Sequence, residues 1–257
     1  MNRRHGSEPG TGEAKPEYLY GLHAVASVFK FRPDHVLDLQ VKAGKYSPAV
    51  AAIVAEARGL GVAVTETSSA QLRRLTDDGV HQGVVVRVER RRDLDEKALE
   101  QRLADHERNF LLVLDGVDDP RNLGACLRVA DGAGVDGVIM ARSRGASVTP
   151  LVAKVASGAA ESVPCYRVAN LARTLRFIGE AGVQIIGAAD ESATSVYDIE
   201  VDSNTALVIG GEGAGLRQLT RKHCDLMAKI PMHGTVESLN LAVAAGIMLY
   251  QIQIKRT

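Results

Sequence analysis

The sequence predicts an α/β protein whose larger, C-terminal part is built on a parallel sheet covered on both faces. Three observations predict it. The strand candidates Leu111 to Leu114, Val138 to Met140, Val183 to Ala188 and Ala206 to Ile209 are almost continuously apolar, as strands buried on both faces must be. Helical patterns separate them, which suits crossover connections between parallel strands. Two loop signals directly follow late strands, at Ile209-Gly210-Gly211-Glu212-Gly213-Ala214-Gly215-Leu216-Arg217 and at Ile230-Pro231-Met232-His233-Gly234-Thr235-Val236-Glu237-Ser238-Leu239-Asn240. Strand ends whose backbones can approach a ligand closely suggest one pocket.

The elements follow in order. Met1 to Pro16 is polar and Gly-rich without an apolar stretch, so residues 1–16 read as a disordered tail rather than a signal peptide. Residues 17–89 read as a small α/β domain. Gly21 to Phe29 is a helix, and Val36 to Val41 alternates apolar and polar residues as a strand. Ser47-Pro48 is an N-cap with proline at the first helical position. Val50, Ile53, Val54 and Ala57 follow at helical spacing. Val62 to Thr65 is a strand, Ser69 to Thr76 a short helix and Val84 to Val88 a strand.

Residues 90–108 mix charges of both signs, as a solvated linker helix does. In residues 109–257, helices are expected at Leu123 to Ala133, Pro150 to Ala160, Leu171 to Glu180 and Leu216 to Cys224. Short strands are expected at Tyr166 to Val168 and Met227 to Ile230. Ser238 is expected to N-cap a last helix reaching Ile254.

Composition narrows the chemistry. The chain has 257 residues, no Trp and 4% aromatics, so its core is aliphatic. No apolar run reaches the ~18 residues that span a bilayer. Three cysteines without a CxxC spacing suggest reduced thiols and a cytoplasmic protein. Seven histidines show no HExxH, and the adjacent His223-Cys224 do not share a helix face, so no metal site is expected. Serine-hydrolase and Walker patterns are missing too. The Gly211-x-Gly213-x-Gly215 pattern resembles a dinucleotide loop, but a Rossmann loop follows the first strand of its sheet and this one comes near the end. A third segment, Asp118 to Arg128, joins the two loops. Asn122 is expected to cap a helix, Gly124 to allow close approach, and Arg128 to offer a planar cation for a phosphate.

Together the three segments resemble the SpoU/TrmH family of RNA ribose 2′-O-methyltransferases, of the knotted SPOUT superfamily. The first family motif, Asn-x-Gly-x-x-x-Arg, is matched by Asn122, Gly124 and Arg128. Gly210, Glu212, Gly213, Gly215 and Leu216 match the second. Ile230, Pro231, Met232, Gly234, Ser238, Leu239 and Asn240 match the third. Residues 17–89, with His81-Gln82-Gly83, resemble an L30e-like RNA substrate-binding domain. Lys154 to Glu161 is similar to the branch that methylates a guanosine in 23S ribosomal RNA. Gly211 departs from the alanine common at its position, which adds backbone freedom and removes no functional group.

The resemblance implies a SPOUT catalytic domain with a deep trefoil knot, a rare exception to unknotted topology. It implies S-adenosylmethionine as cofactor, held by Gly210, Gly211, Gly213, Ile230, Met232, Ser238 and Leu239. Asn122, Arg128, Glu212, Ser238 and Asn240 are the implied catalytic residues. Arg128 would stabilise the developing alkoxide, because its pKa is too high for a general base. Asn122, Ser238 and Asn240 would orient the ribose and Arg128, and Glu212 would position the acceptor, hold Arg128 or pair with Arg217. The family also implies a homodimer through the catalytic domain, in which Arg128 would act on the cofactor of its own subunit or of the partner. A chain of zero net charge that binds RNA must segregate its basic residues. Candidates are Arg73, Arg74, Arg87, Arg142, Arg144 and Lys154, with Lys42, Lys45 and Arg90 to Arg92 beside them. Rival readings are the same chemistry on transfer RNA, a non-catalytic RNA-binding assembly factor and, more distantly, a nicotinamide oxidoreductase.

Overall fold

The computed structural model describes residues 16–143, 145–213 and 215–256. The expected tail up to Lys15 and the candidate Arg144 lie outside the described residues. Pro16 belongs instead to the first strand. The N-terminal unit comprises β1 (Pro16–Tyr20), α1 (Leu22–Phe31), a 3-10 turn (Pro33–His35), β2 (Val36–Lys42), α2 (Pro48–Gly59), β3 (Val64–Thr67), α3 (Ser69–Leu75) and β4 (Val84–Glu89). Its sheet runs β1-β4-β2-β3. β4 is antiparallel to both β1 and β2, while β2 and β3 are parallel. β1 escaped the sequence reading because it is a five-residue edge strand opening on proline, which an edge tolerates. Ser47 caps α2 as expected, its hydroxyl accepting from Val50 N–H at 3.3 Å.

The larger unit comprises α4 (Glu96–Asp105), β5 (Phe110–Asp115), α5 (Pro120–Gly132), β6 (Gly137–Ala141), α6 (Pro150–Val155), α7 (Ala159–Ser162), β7 (Cys165–Val168), α8 (Leu171–Glu180), β8 (Gln184–Ala188), β9 (Thr205–Gly210), α9 (Gln218–Arg221), β10 (Leu226–Ala228) and α10 (Leu241–Lys255). Its six strands run β10-β8-β9-β5-β6-β7, and every pairing is parallel. The alternation of strand side chains explains the continuous apolar runs. Phe110, Leu112 and Leu114 of β5 join the core shared with α5, α6 and α10, whereas Leu111 and Val113 join the core shared with α4 and α8.

Three expectations need correction. The charged stretch at 90–108 is not merely solvated: Asp95 caps α4, Leu99 is 1% exposed, α4 packs on β7, and Leu94 bridges to Tyr166. The helix expected at Pro150 to Ala160 breaks into α6 and α7, because Ser157 and Gly158 take positive φ of 52° and 102°. The break serves packing, since a Cβ on Gly158 would lie 2.1 Å from Ser27 Oγ of α1. The helix expected at Leu216 to Cys224 shrinks to α9, four residues long.

The two units share one core. α1 and β1 pack on α6 and α7. Arg32 clasps Glu161 with Nε and Nη2, at 2.6 and 3.1 Å, and the two side chains are only 15% and 5% exposed. Arg91 donates to the carbonyls of Ala160 and Val163. No helix among the described residues is long and apolar enough to cross a membrane.

Breaking a buried ion pair strands a charge. Glu161→Ala should therefore destabilise the protein by about 3–5 kcal/mol, read as a lower denaturant midpoint. A change within about 0.5 kcal/mol, the size of a surface substitution, would show that the clasp does not hold the units together.

Candidate active site

β5 and β9 lie side by side at the centre of the sheet, with Asp115 opposite Gly210. The C-terminal ends of β8 and β9, with the segment that follows β10, border a cleft of about 980 Å³. In a parallel sheet this edge is where ligands bind. The walls come from three segments: Ala188 to Glu191 after β8, the glycine loop after β9, and Ile230 to Ala244 leading into α10.

The glycine loop owes its path to missing side chains. Gly211 N–H donates to the Asp115 carbonyl at 3.0 Å, and Gly215 N–H returns to Gly211 O at 3.1 Å. A Cβ on Gly210 would lie 2.1–2.5 Å from backbone atoms of Gly215 and Leu216. Gly213 and Gly215 take φ of 78° and 60°, where L side chains are strained. The role of Gly211 is not the extra freedom read from the sequence. A Cβ there would lie 2.3 Å from Gly116 O, so this glycine permits a close approach of two strand ends.

The third segment carries the polar focus. Asn240, not Ser238, caps the last helix: its Oδ1 accepts from Ala242 N–H at 3.0 Å. That bond fixes the amide orientation. Asn240 Nδ2 must then face the other way, and it donates to Asn122 Oδ1 at 3.1 Å and to Glu212 Oε1 at 3.3 Å. One side chain thus ties all three sequence motifs together. Asn122 does not cap its helix either. Asp119 does, accepting from Arg121 N–H at 2.8 Å, and Asn122 sits in the first turn of α5, where it meets Asn240. Glu212 contacts neither Arg217 nor Arg128. Arg217 pairs with Asp115 at 3.3 Å instead.

Gly210, Gly211, Glu212, Gly213, Ile230, Met232, Ser238, Leu239 and Asn240 all line the cleft. Arg128 does not. It stands exposed on α5 and forms no hydrogen bond or ion pair with another described residue. It lies one helical turn from Gly132, whose Cβ position is 2.9 Å from Tyr250 Oη of α10. Reasoning from sequence missed Asp190, Glu191, Gln218, Arg221 and Glu237 on the walls. The signal was available for the first two, because they follow a buried parallel strand at its C-terminal end.

The basic candidates divide. Arg87 is paired with Asp38 at 2.5 Å, and Arg142 reaches Glu96 at 3.6 Å and the Arg167 carbonyl at 3.2 Å. Lys154 crosses between the units, donating to Val80 O and lying 5.1 Å from the centre of the Tyr20 ring. Arg73 and Arg74 are exposed. Arg73 joins Lys42, Lys45 and His81 along a groove of about 550 Å³ on the N-terminal unit. Burial, then the charges of Arg73, Lys154 and Lys42, lowers the His81 pKa below its ordinary value. No cluster of His, Cys, Asp and Glu that could hold a metal occurs among the described residues.

Comparison with known proteins finds two family patterns along the chain. The SpoU rRNA Methylase family pattern matches residues 109–250, and an RNA 2′-O ribose methyltransferase substrate-binding pattern matches residues 18–94. The chain is 45% identical over 235 residues to the 23S rRNA (guanosine-2′-O-)-methyltransferase RlmB of Vibrio cholerae, covering 91% of this chain and 95% of that protein. The AdoMet-bound rRNA methyltransferase from Sinorhizobium meliloti superimposes with a TM-score of 0.74 at 26% identity, covering 93% and 87% of the two chains. The SpoU methyltransferase AviRb from Streptomyces viridochromogenes, at 24% identity, shares the fold with a TM-score of 0.77 over 94% and 90% of the two chains.

Gly210→Ala should destabilise the chain by about 1–3 kcal/mol, the usual penalty for overpacking. The expected reading is a lower urea midpoint with unchanged slope. An unaltered midpoint would mean that the loop can move away from β9.

Proposed function

The chain belongs to the SpoU rRNA methylase family, and from that membership we propose that it transfers a methyl group from S-adenosylmethionine to the 2′-hydroxyl of a guanosine ribose in 23S ribosomal RNA. The observation that carries the reading is the cleft. The seven residues expected to hold the cofactor line one cavity, and Asn240 links that cavity to Asn122 and Glu212.

The cleft fits S-adenosylmethionine in chemistry as well as size. Ile230, Met232, Leu239, Leu241 and Ala244 offer an apolar wall for a flat base. The glycine loop presents backbone polar groups without side chains in the way. Glu212, Asp190 and Glu237 supply negative charge on the walls, where Glu191 is paired with Arg221, complementary to a sulfonium and an ammonium. The bound cofactor would supply an electrophilic methyl group, so the chain needs no covalent nucleophile. What the chain must do is place the acceptor oxygen and favour its loss of a proton. Asn240 is held by its capping bond, and it fixes Asn122 and Glu212 in turn. Arg128 would bind the phosphate next to the acceptor ribose and stabilise the developing alkoxide.

Arg128 reaches this role in a homodimer. α10 is apolar around its whole circumference, as a helix covered on two sides is. One side packs on α5 and β9. On the other, Val243 and Tyr250 are each 50% exposed. A second copy covering that stripe would bury it and bring its own Arg128, near Tyr250, toward the first copy's cleft. The N-terminal unit would bind the RNA, with residues 17–89 as the substrate domain, 90–108 as the connection and 109–257 as the catalytic domain. A trefoil knot is part of the same proposal. Residues 229–240 run from the edge strand β10 across the ends of β8 and β9 to reach α10 on α5, the path a threaded segment would take. RNA modification of this kind belongs in the cytoplasm.

The reading is tested by offering labelled S-adenosylmethionine with unmodified 23S RNA and with bulk transfer RNA. Label in a 23S guanosine ribose is expected, and label in transfer RNA alone would overturn the substrate. Arg128→Ala should lower kcat by about 10²–10³-fold. Ala244→Phe, which fills the apolar wall, should abolish cofactor binding. Random mixing of the two inactive variants should restore about a quarter of wild-type activity, because half the dimers are mixed and each has one complete site. No recovery would place Arg128 in its own chain's cleft.

A further inference from the structure

Asp115 is the most thoroughly buried carboxylate beside the cleft, yet it does not line it. Its side chain is fully buried at the end of β5. Oδ2 accepts from Arg217 N–H at 3.0 Å, and Oδ1 lies 3.3 Å from Arg217 Nη1. Its main-chain carbonyl accepts from Gly211 N–H at 3.0 Å. One residue therefore holds both ends of the glycine loop: Gly211 at the start through its backbone, Arg217 at the finish through its side chain. Glu212, Gly213, Gly215 and Leu216, which lie between them, form a wall of the cleft.

The neighbouring residue is shaped for this contact. Gly116 has φ 81°, and a Cβ there would lie 2.7 Å from Arg217 Nη2. Only glycine lets the guanidinium pass the strand end and reach the carboxylate. Arg217 is 40% exposed, so the pair is anchored from inside and closed from outside.

We propose that Asp115 and Arg217 are positioning residues for cofactor binding: their ion pair clamps the 211–217 loop in the shape that S-adenosylmethionine requires. The inference rests on the reading that this cleft takes that cofactor. Asp115 touches neither the cleft nor the reacting atoms. It acts through the loop, so its loss should appear in cofactor affinity before turnover. Asn at 115 keeps an acceptor for Arg217 N–H but removes the charge that holds the guanidinium. Arg217→Ala removes the same contact from the exposed side and leaves the Asp115 carboxylate buried without its cation, whereas Arg217→Lys keeps a cation beside it.

The test measures S-adenosylmethionine binding by calorimetry and amide hydrogen exchange across residues 209–218, in the full-length protein. Variants are Asp115→Asn, Arg217→Ala, Arg217→Lys and the Asp115→Asn/Arg217→Ala double. Expected are Kd values about tenfold higher for each of the first two, as displaced supports give. The double variant should be no worse than the weaker single. Arg217→Lys should recover part of the affinity, and kcat at saturating cofactor should change far less than KM. Exchange should quicken in the loop alone. Unchanged Kd with unchanged loop exchange overturns the proposal, and so does a fall in Tm with affinity intact. Should Asp115→Asn not fold, the Arg217 pair of variants decides by the same readings. A wild-type protein that binds no S-adenosylmethionine would instead refute the ligand reading, while loop exchange would still judge the clamp.

Discussion

The register between β5 and β9 is the constraint on which the site depends. Because Asp115 stands opposite Gly210, two strand ends and the loops leaving them share a few ångströms of space. The carbonyl of Gly116 occupies the position where a side chain on residue 211 would lie. A shift of one residue would turn every strand side chain to the other face. The opposed cores, one around α5 and α10 and the other around α4 and α8, resist such a slip. Packing on both faces thus sets the geometry of a loop that itself has little to pack.

The polar half of the site depends on a single amide. Asn240 closes the N-terminus of α10 with its oxygen and joins Asn122 and Glu212 with its nitrogen. A helix cap contributes roughly 1 kcal/mol, so the stability of α10 and the order of Asn122 and Glu212 rise and fall together. The same helix offers the apolar stripe assigned to a second copy. The proposed subunit contact and the order of the site would therefore be two ends of one rigid rod.

Much of this was legible in the sequence. Continuous apolar strands separated by helices led to the parallel sheet, and the second and third motifs led to residues that share one cleft, which Asn240 joins to Asn122 of the first. What failed did so for local reasons. Asn122 and Ser238 were read as caps because their residue types favour that position, but Asp119 and Asn240 hold it. Gly211 was read for backbone freedom when it serves a close approach. The break at Ser157-Gly158 answers to Ser27, far away in the chain, and no local pattern reports such a demand. Lys154 and Arg91, basic residues in a suggestive neighbourhood, turn out to knit the two units together. Arg128 matches its motif but stands outside the cleft of its own chain.

The strand order also governs when the protein comes into being as an enzyme. β5, near the centre of the sheet, is made early, but its partner β9 begins at Thr205, opposite Phe110. Every wall of the cleft lies in residues 188–244. Domains fold as their chain emerges from the ribosome, and contacts so distant in sequence form late. A nascent chain therefore holds all the strands of its N-terminal sheet well before the walls of the cleft exist. The chain that the proposed RNA-binding unit needs is thus made before the chain that the cleft needs.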